Sequence, residues 1–208
     1  MKYIIMCGGK YGPFAENPRQ LLKLRNGESV VERTIRLLRE AGINDIAVST
    51  NNPMFDFLDV EILHHDNKFG TDKSAYWLDA FYPTDEEVCY IFGDVVFSEN
   101  AIRVIVNVET DDIEFFASAP PFAYNYPKKW AEPFAFKVVN QKHFREAIEE
   151  TKLYFNQGLF RRMPIAWELW QVLKGTPRNK IIYTNYTAIN DYTCDIDYPR
   201  DINSWQNI

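Results

Sequence analysis

A doubly wound, mostly parallel α/β fold is predicted by three features of this 208-residue sequence. Short, nearly continuous apolar runs, such as residues 2–7 and 87–92, read as strands covered on both faces. Helical segments of about 10–15 residues alternate with them. Turn signals rich in Gly, Asn and Pro separate the two kinds, with no internal repeat and no low-complexity linker.

The elements follow in order. Residues 2–7 form a strand that ends abruptly in Gly8-Gly9. Ser29 and Glu32 form a capping box, in which each side chain satisfies an orphan N–H of the other. That helix carries Ile35, Leu37 and Leu38 and stops at Gly42. Residues 45–50 are the second strand, closed by Asn51-Asn52-Pro53, and residues 60–64 the third. A helix is predicted over 71–81, ending near Pro83, then a strand over 87–92 that ends at Gly93-Asp94. Ser98 caps a helix running to about residue 108. The second half is less regular. Strands over 113–119 and 133–139 flank a loop, 120–132, rich in proline and aromatics. Asn140 caps a helix to about residue 153, and residues 164–173 form another. Late strands are expected at 181–183 and 192–196, and Pro199 stands where a last helix begins.

Composition narrows the function. The length fits one domain. A net charge of −6 and a pI near 5.2, with no Lys/Arg stripe, argue against a nucleic-acid partner. No apolar run approaches the ~20 residues that span a bilayer. The five apolar residues before Gly8 fall short of a signal-peptide core. The expectation is a cytoplasmic protein, monomer or homodimer, with no membrane partner. Cys7, Cys89 and Cys194 are odd in number, widely spaced and in or beside strands, so they read as reduced core thiols.

Several constellations carry chemistry. Gly8, Gly9, Lys10, Gly12 and Arg19 make a loop after a strand, whose backbone N–H groups and cations suit a phosphate chain. It is neither a P-loop nor a dinucleotide fingerprint, and a plain structural turn is the competing reading. Ser98 takes the cap role, which leaves Asp94 at the end of an apolar strand, where a carboxylate can hold Mg²⁺. Asp195 and Asp197, two apart, face one side and repel unless a cation lies between them. Against that stands capping of the Pro199 helix by Asp197. Gly70, Thr71 and Ser74 open the helix at 71–81, where a base or ribose could bind; ordinary capping competes. His64-His65 reads as structural, since neighbours on a strand point apart. Trp167, Trp170, Phe155 and Phe160 read as core. The aromatic loop with Lys128, Lys129 and Trp130 could form an acceptor pocket.

Taken in order, these segments resemble nucleotidyltransferases with a glycosyltransferase-A-like fold: the sugar-phosphate nucleotidyltransferases, phosphocholine cytidylyltransferases and molybdopterin-guanine transferases. The opening loop with Pro18-Arg19-Gln20-Leu21-Leu22 looks like that family's glycine-rich loop and Pro-Lys-x-Leu. Residues 27–35 and 41–51 match its next helix and strand. Gly93-Asp94 is similar to its metal-binding Gly-Asp. Asp195-Ile196-Asp197-Tyr198-Pro199-Arg200-Asp201 is similar to the closing acidic motif of the cytidylyltransferase-like branch. Two positions depart: the loop has no arginine, and Arg19 stands where the family has lysine.

The resemblance implies an α/β nucleotide-diphospho-sugar-transferase-like domain over 1–208. About 1–110 would be the nucleotide-binding half, about 111–190 the acceptor-side half, and 191–208 the closing metal-binding strand and helix. It implies transfer of a nucleoside monophosphate, with CMP a candidate, from a nucleoside triphosphate to a phosphorylated sugar, polyol, choline or amide, for surface-polysaccharide precursors. Arg19 and Lys10 would be catalytic, with Cys7, Gly8, Gly9, Lys10, Gly12, Gly70, Thr71 and Ser74 binding the nucleotide. Lys128, Lys129 and Glu132 would bind the acceptor, and Asp94, Asp195 and Asp197 would hold Mg²⁺. The competing readings are a nucleotide-binding regulator that has lost catalysis and a glycosyltransferase on the same fold. The latter normally shows Asp-x-Asp where this chain has Gly93-Asp94-Val95-Val96.

Overall fold

A computed structural model of the chain describes residues 1–8, 17–65, 76–122 and 130–205. Its strands are β1 (Lys2–Met6), β2 (Ile46–Thr50), β3 (Glu61–His64), β4 (Val88–Phe92), β5 (Val95–Val96), β6 (Ile113–Ser118), β7 (Glu132–Val138), β8 (Thr187–Ala188) and β9 (Cys194–Asp195). Its α-helices are α1 (Val30–Glu40), α2 (Glu99–Asn107), α3 (Gln141–Asn156) and α4 (Ala166–Leu173). Seven strands form one sheet in the order β3-β2-β1-β4-β7-β6-β8. Strands β1 to β4 are mutually parallel, β7 runs antiparallel between β4 and β6, and β8 pairs parallel with β6. The predicted doubly wound, mostly parallel α/β fold is the one found.

Both faces of the sheet are covered, as the apolar strands require. Ile4, Ile5, Val48, Cys89 and Ile91 are at most 1% exposed. Tyr90, Phe136 and Phe115 stand opposite one another across β4, β7 and β6. On that face Tyr90 stacks on Phe144 of α3, and Phe115 meets Trp167 and Trp170 of α4 edge-on or tilted. Lys137, one residue along β7 from Phe136, points to the other face. There its Nζ donates to the Val106 and Val108 carbonyls at the end of α2, at 3.1 and 2.6 Å, the cation a helix C-terminus favours. The sheet is thus sandwiched between α1/α2 and α3/α4. Cys7, Cys89 and Cys194 are free buried thiols, and Trp167, Trp170 and Phe160 lie in the core.

The capping box at α1 is complete. Glu32 N–H donates to Ser29 Oγ at 3.3 Å, and Ser29 N–H to Glu32 Oε2 at 2.8 Å. Gly42 follows the helix at φ +88°, a left-handed stop glycine fills without strain. Burial alone would raise the Glu32 carboxyl, but hydrogen bonds from Lys23 and Ser29 outweigh it and hold the group at about 2. That lies below the ordinary 4.5, so these bonds stabilise the fold above about pH 4.5 and fade toward pH 2. Glu32→Ala is expected to cost about 1 kcal/mol at neutral pH. The Tm gap between the two proteins should shrink between about pH 6 and pH 3; a constant gap would remove the carboxylate from this account.

Three segments differ from the sequence expectation. Residues 181–183 are not a strand; the edge strand is β8, paired at Phe116↔Thr187 and Ala117↔Ala188. The backbone at 181–184 is instead claimed by α4: Ile182 N–H donates to Gln171 Oε1 and Trp170 Nε1–H to the Thr184 carbonyl. Of the helix expected over 71–81, residues 76–80 form a 3-10 helix, and 71–75 lie outside the described residues. The last helix, Pro199–Trp205, is likewise a 3-10 helix. Among the described residues no helix is long and apolar enough to cross a membrane.

Candidate active site

β1 and β4 are parallel neighbours in register, Met6 opposite Phe92, so their carboxyl ends reach the same edge of the sheet. Chain order runs outward from β1 in both directions, the switch point where open α/β sheets bind ligands. Past β4, Gly93 N–H donates to the Met6 carbonyl at 3.1 Å. A Cβ at Gly93 would stand 2.5 Å from that oxygen and 2.7 Å from Cys7 Sγ. Only glycine lets the two strand ends close up here. The Cys7 thiol is therefore a packing group behind the site. Burial, and then the charge of Asp94, push it well above its ordinary range, so it stays protonated.

Asp94 follows Gly93, and β5 then pairs antiparallel with β9, placing Asp195 opposite Val95. Ile196 N–H donates to the Asp94 carbonyl at 2.9 Å. Arg19 sits on a 3-10 turn after Pro18 (Arg19–Leu21). Its Nη1 donates to Asp94 Oδ2 at 3.2 Å and to the Ile196 carbonyl at 2.9 Å. One guanidinium thus ties together the opening loop, the end of the central strand and the closing motif, about 75 to 177 residues apart in sequence. Because β7 runs antiparallel to β4, its first residue, Glu132, arrives at the same edge. Ligand atoms of Glu132, Cys194 and Asp195 lie within 4.8 Å of one another.

Arg19, Asp94, Glu132 and Asp195 line one cleft of about 440 Å³, together with Gly8, Gln20, Trp77, Trp130, Arg162 and Asp197. That volume is in the range of small-molecule sites. Of the sequence-predicted residues, Gly8, Arg19, Asp94, Glu132, Asp195 and Asp197 come together here. Lys10, Gly9, Gly12, Gly70, Thr71, Ser74, Lys128 and Lys129 lie outside the described residues. Asp201 Oδ2 accepts the N–H groups of Asp197 and Tyr198, at 3.0 and 2.8 Å, which ties the closing motif to the first turn of the last helix.

Two residues of the wall were not singled out from the sequence. Arg162 is fixed by the buried Glu168, with Nε to Oε1 at 2.6 Å and Nη2 to Oε2 at 3.4 Å. Glu168 is itself held in place by Ile165 N–H at 3.0 Å. Gln20 is 6% exposed, and its buried Oε1 has no hydrogen-bond partner among the described residues. Nothing in the spacing Arg162…Glu168 forms a known motif, and Gln20 is the buried residue of a turn whose other two residues, Arg19 and Leu21, are half-buried. The described charged lining consists of the carboxylates of Asp94, Glu132, Asp195 and Asp197 and the guanidiniums of Arg19 and Arg162. Such a wall repels a bare polyphosphate and accepts one that carries divalent cations. Carboxylate oxygens are the hard donors Mg²⁺ takes.

No protein-family model matches the chain, and no curated protein matches it. Solved structures do. An inositol-1-phosphate CTP transferase from T. maritima is 13% identical, over 96% of this chain and 90% of that one, with a TM-score of 0.56. A 4-diphosphocytidyl-2C-methyl-D-erythritol synthase from Anaerococcus prevotii is 14% identical, over 99% and 94%, with a TM-score of 0.56. A nucleotidyl transferase from Methanothermobacter is 15% identical, over 99% and 95%, with a TM-score of 0.60. Over essentially its whole length, this chain has the α/β fold of these nucleotidyltransferases.

Proposed function

We propose that the protein is a Mg²⁺-dependent nucleotidyltransferase of the cytoplasm, a single domain over 1–208. It would transfer a nucleoside monophosphate, CMP first among the candidates, to a phosphorylated small molecule and release pyrophosphate. The product would be an activated precursor for surface polysaccharide. The observation that carries this reading is the cleft at the switch point, lined by Arg19, Asp94, Asp195 and Asp197, with Arg19 bonded to Asp94.

The residues take complementary roles. Asp94, with Asp195 and Asp197, would hold Mg²⁺, which neutralises charge on the triphosphate. Arg19 and Lys10, with the backbone of Gly8, Gly9 and Gly12, would hold the phosphates, and Gly70, Thr71 and Ser74 would border the base or ribose. Glu132, Lys128 and Lys129 would line the acceptor side. Arg162, held by Glu168 in a two-bond fork, keeps further N–H groups for an anionic acceptor. The acceptor's phosphate monoester is largely ionised at neutral pH, so its oxygen attacks the α-phosphorus without a protein base. The α–β P–O bond breaks and pyrophosphate leaves. Catalysis rests on positioning and charge.

The Arg19–Asp94 ion pair favours a second reading, a nucleotide-binding regulator in which Arg19 occupies the carboxylate a metal would need. One screen separates the two. Pyrophosphate release is measured from CTP, UTP, GTP, ATP and dTTP against phosphorylated sugars, polyols, choline and amides. Release with one pair supports transfer. Calorimetric binding of nucleotide with no release from any pair supports the regulator.

A further inference from the structure

Arg19 and a metal ion compete for one carboxylate. The Arg19 guanidinium bonds two acceptors through the same nitrogen, Asp94 Oδ2 at 3.2 Å and the Ile196 carbonyl at 2.9 Å. The two bonds differ in kind. Ile196 is main chain, fixed through its own N–H on the Asp94 carbonyl. The Asp94 carboxylate is a part-exposed side chain, in an ion pair whose exchange costs little. Among the described residues, the one group of three metal-type donors within 4.8 Å of one another is Glu132, Cys194 and Asp195. Asp94 stands outside that group, bonded to Arg19. A divalent cation placed on Asp94 is repelled at short range by the guanidinium. A phosphate chain removes the conflict. It brings compensating negative charge, and a guanidinium holds phosphate oxygens in a bidentate fork.

Resting on the nucleotidyl-transfer reading, we propose that Arg19 is a latch on Asp94 that the phosphate chain opens, so that a divalent cation binds there only together with the triphosphate. The phosphates take the guanidinium from Asp94. The bond to the Ile196 carbonyl keeps the side chain at the cleft as it turns. The released carboxylate then accepts the cation that the chain carries. Free divalent ions bind poorly by themselves, and so does a bare polyphosphate, which meets the carboxylate wall. The coupling is reciprocal: the chain tightens the cation by the same factor as the cation tightens the chain. The ion pair that would silence a regulator thus serves, in a transferase, to admit metal and nucleotide as one unit.

The test measures binding and needs no turnover. Mn²⁺, which suits the same oxygen ligands, is titrated by calorimetry into the wild-type protein, Arg19→Met, Asp94→Asn and the double variant. Arg19→Met is expected to bind Mn²⁺ roughly tenfold tighter than the wild type, since the competing charge is gone. In the Asp94→Asn background the same substitution should change the affinity less than about threefold, because the carboxylate it would release is absent. No gain in Arg19→Met, including no measurable binding at millimolar Mn²⁺, overturns the latch. So does an equal gain in the Asp94→Asn background, which would reduce Arg19 to one positive charge near the cleft. A second arm uses the wild-type protein alone, so it stands even if the variants misfold. Inorganic tripolyphosphate is titrated once loaded with Mn²⁺ and once with EDTA. The loaded chain should bind at least roughly tenfold tighter, and equal affinities overturn the coupling. Failure of the latch and of the transfer reading remain distinct. If the Mn²⁺ affinities move as expected while no nucleotide and acceptor release pyrophosphate, nucleotidyl transfer fails and the latch stands. If pyrophosphate is released and the affinities do not move, the latch alone fails.

Discussion

Asp94→Ala is expected to release pyrophosphate about 10³-fold or more slowly than the wild-type protein while melting within about 3 °C of it. The two halves of this expectation have separate causes. The rate falls because the triphosphate must enter a cleft whose described charged lining is mostly carboxylate. Without the Asp94 oxygen the proposed Mg²⁺ loses the ligand nearest the central strand, and several kcal/mol of charge neutralisation go with it. The fold survives because the Arg19–Asp94 pair is part-exposed, with side chains 22% and 32% accessible. Such a pair contributes about 1 kcal/mol or less. The structural links at this position run through main-chain atoms that an alanine keeps: the Ile196 N–H to the Asp94 carbonyl and the Gly93 N–H to Met6. Asp94→Asn keeps the shape and a hydrogen bond to Arg19 but not the charge, so it should be nearly as slow. Near-normal turnover by either variant would remove Asp94 from the metal site.

The features of the fold that could be read from the sequence are those whose cause is local. The caps by Ser29, Ser98 and Asn140 each bond a backbone N–H within three residues, so the pattern in sequence is the interaction itself. The buried parallel strands were legible because burial on both faces leaves a continuous apolar run. The edge strand was not. Residues 181–183 have better strand chemistry than Thr187–Ala188, but long-range bonds to Gln171 and Trp170 claim that backbone first. The candidate site divides the same way. Asp94 follows β4, whose end parallel pairing carries to the edge where β1 ends, while Asp195 arrives there through the antiparallel pairing of β9 with β5. Arg162 and Gln20 were illegible because the meaning of one lies in a buried partner and of the other in the lack of one.

Gly93→Ala should be the most damaging small change to the fold around the site. The added methyl would lie 2.5 Å from the Met6 carbonyl oxygen and 2.7 Å from Cys7 Sγ. The first of these is backbone at the paired ends of β1 and β4, so no rotamer change relieves it. The Cys7 side chain is at 1% exposure and has no room to retreat. The β1 and β4 ends must therefore move apart, lengthening the 3.1 Å bond from Gly93 N–H to Met6. Overpacking of this kind costs about 3 kcal/mol, or roughly 6–12 °C in Tm for a chain of this size. The displacement is passed directly to Asp94, the next residue, and to Gly8, on the other strand end. Even well below its melting temperature the variant should therefore turn over at least tenfold more slowly, since a small misplacement of charged groups weakens every interaction that positions the phosphates. Cys7→Ala in the same background separates the two clashes. If it restores neither stability nor turnover, the Met6 carbonyl is the obstacle, as the geometry predicts. Full recovery would mean that the thiol, and not the approach of the two strands, requires glycine at position 93.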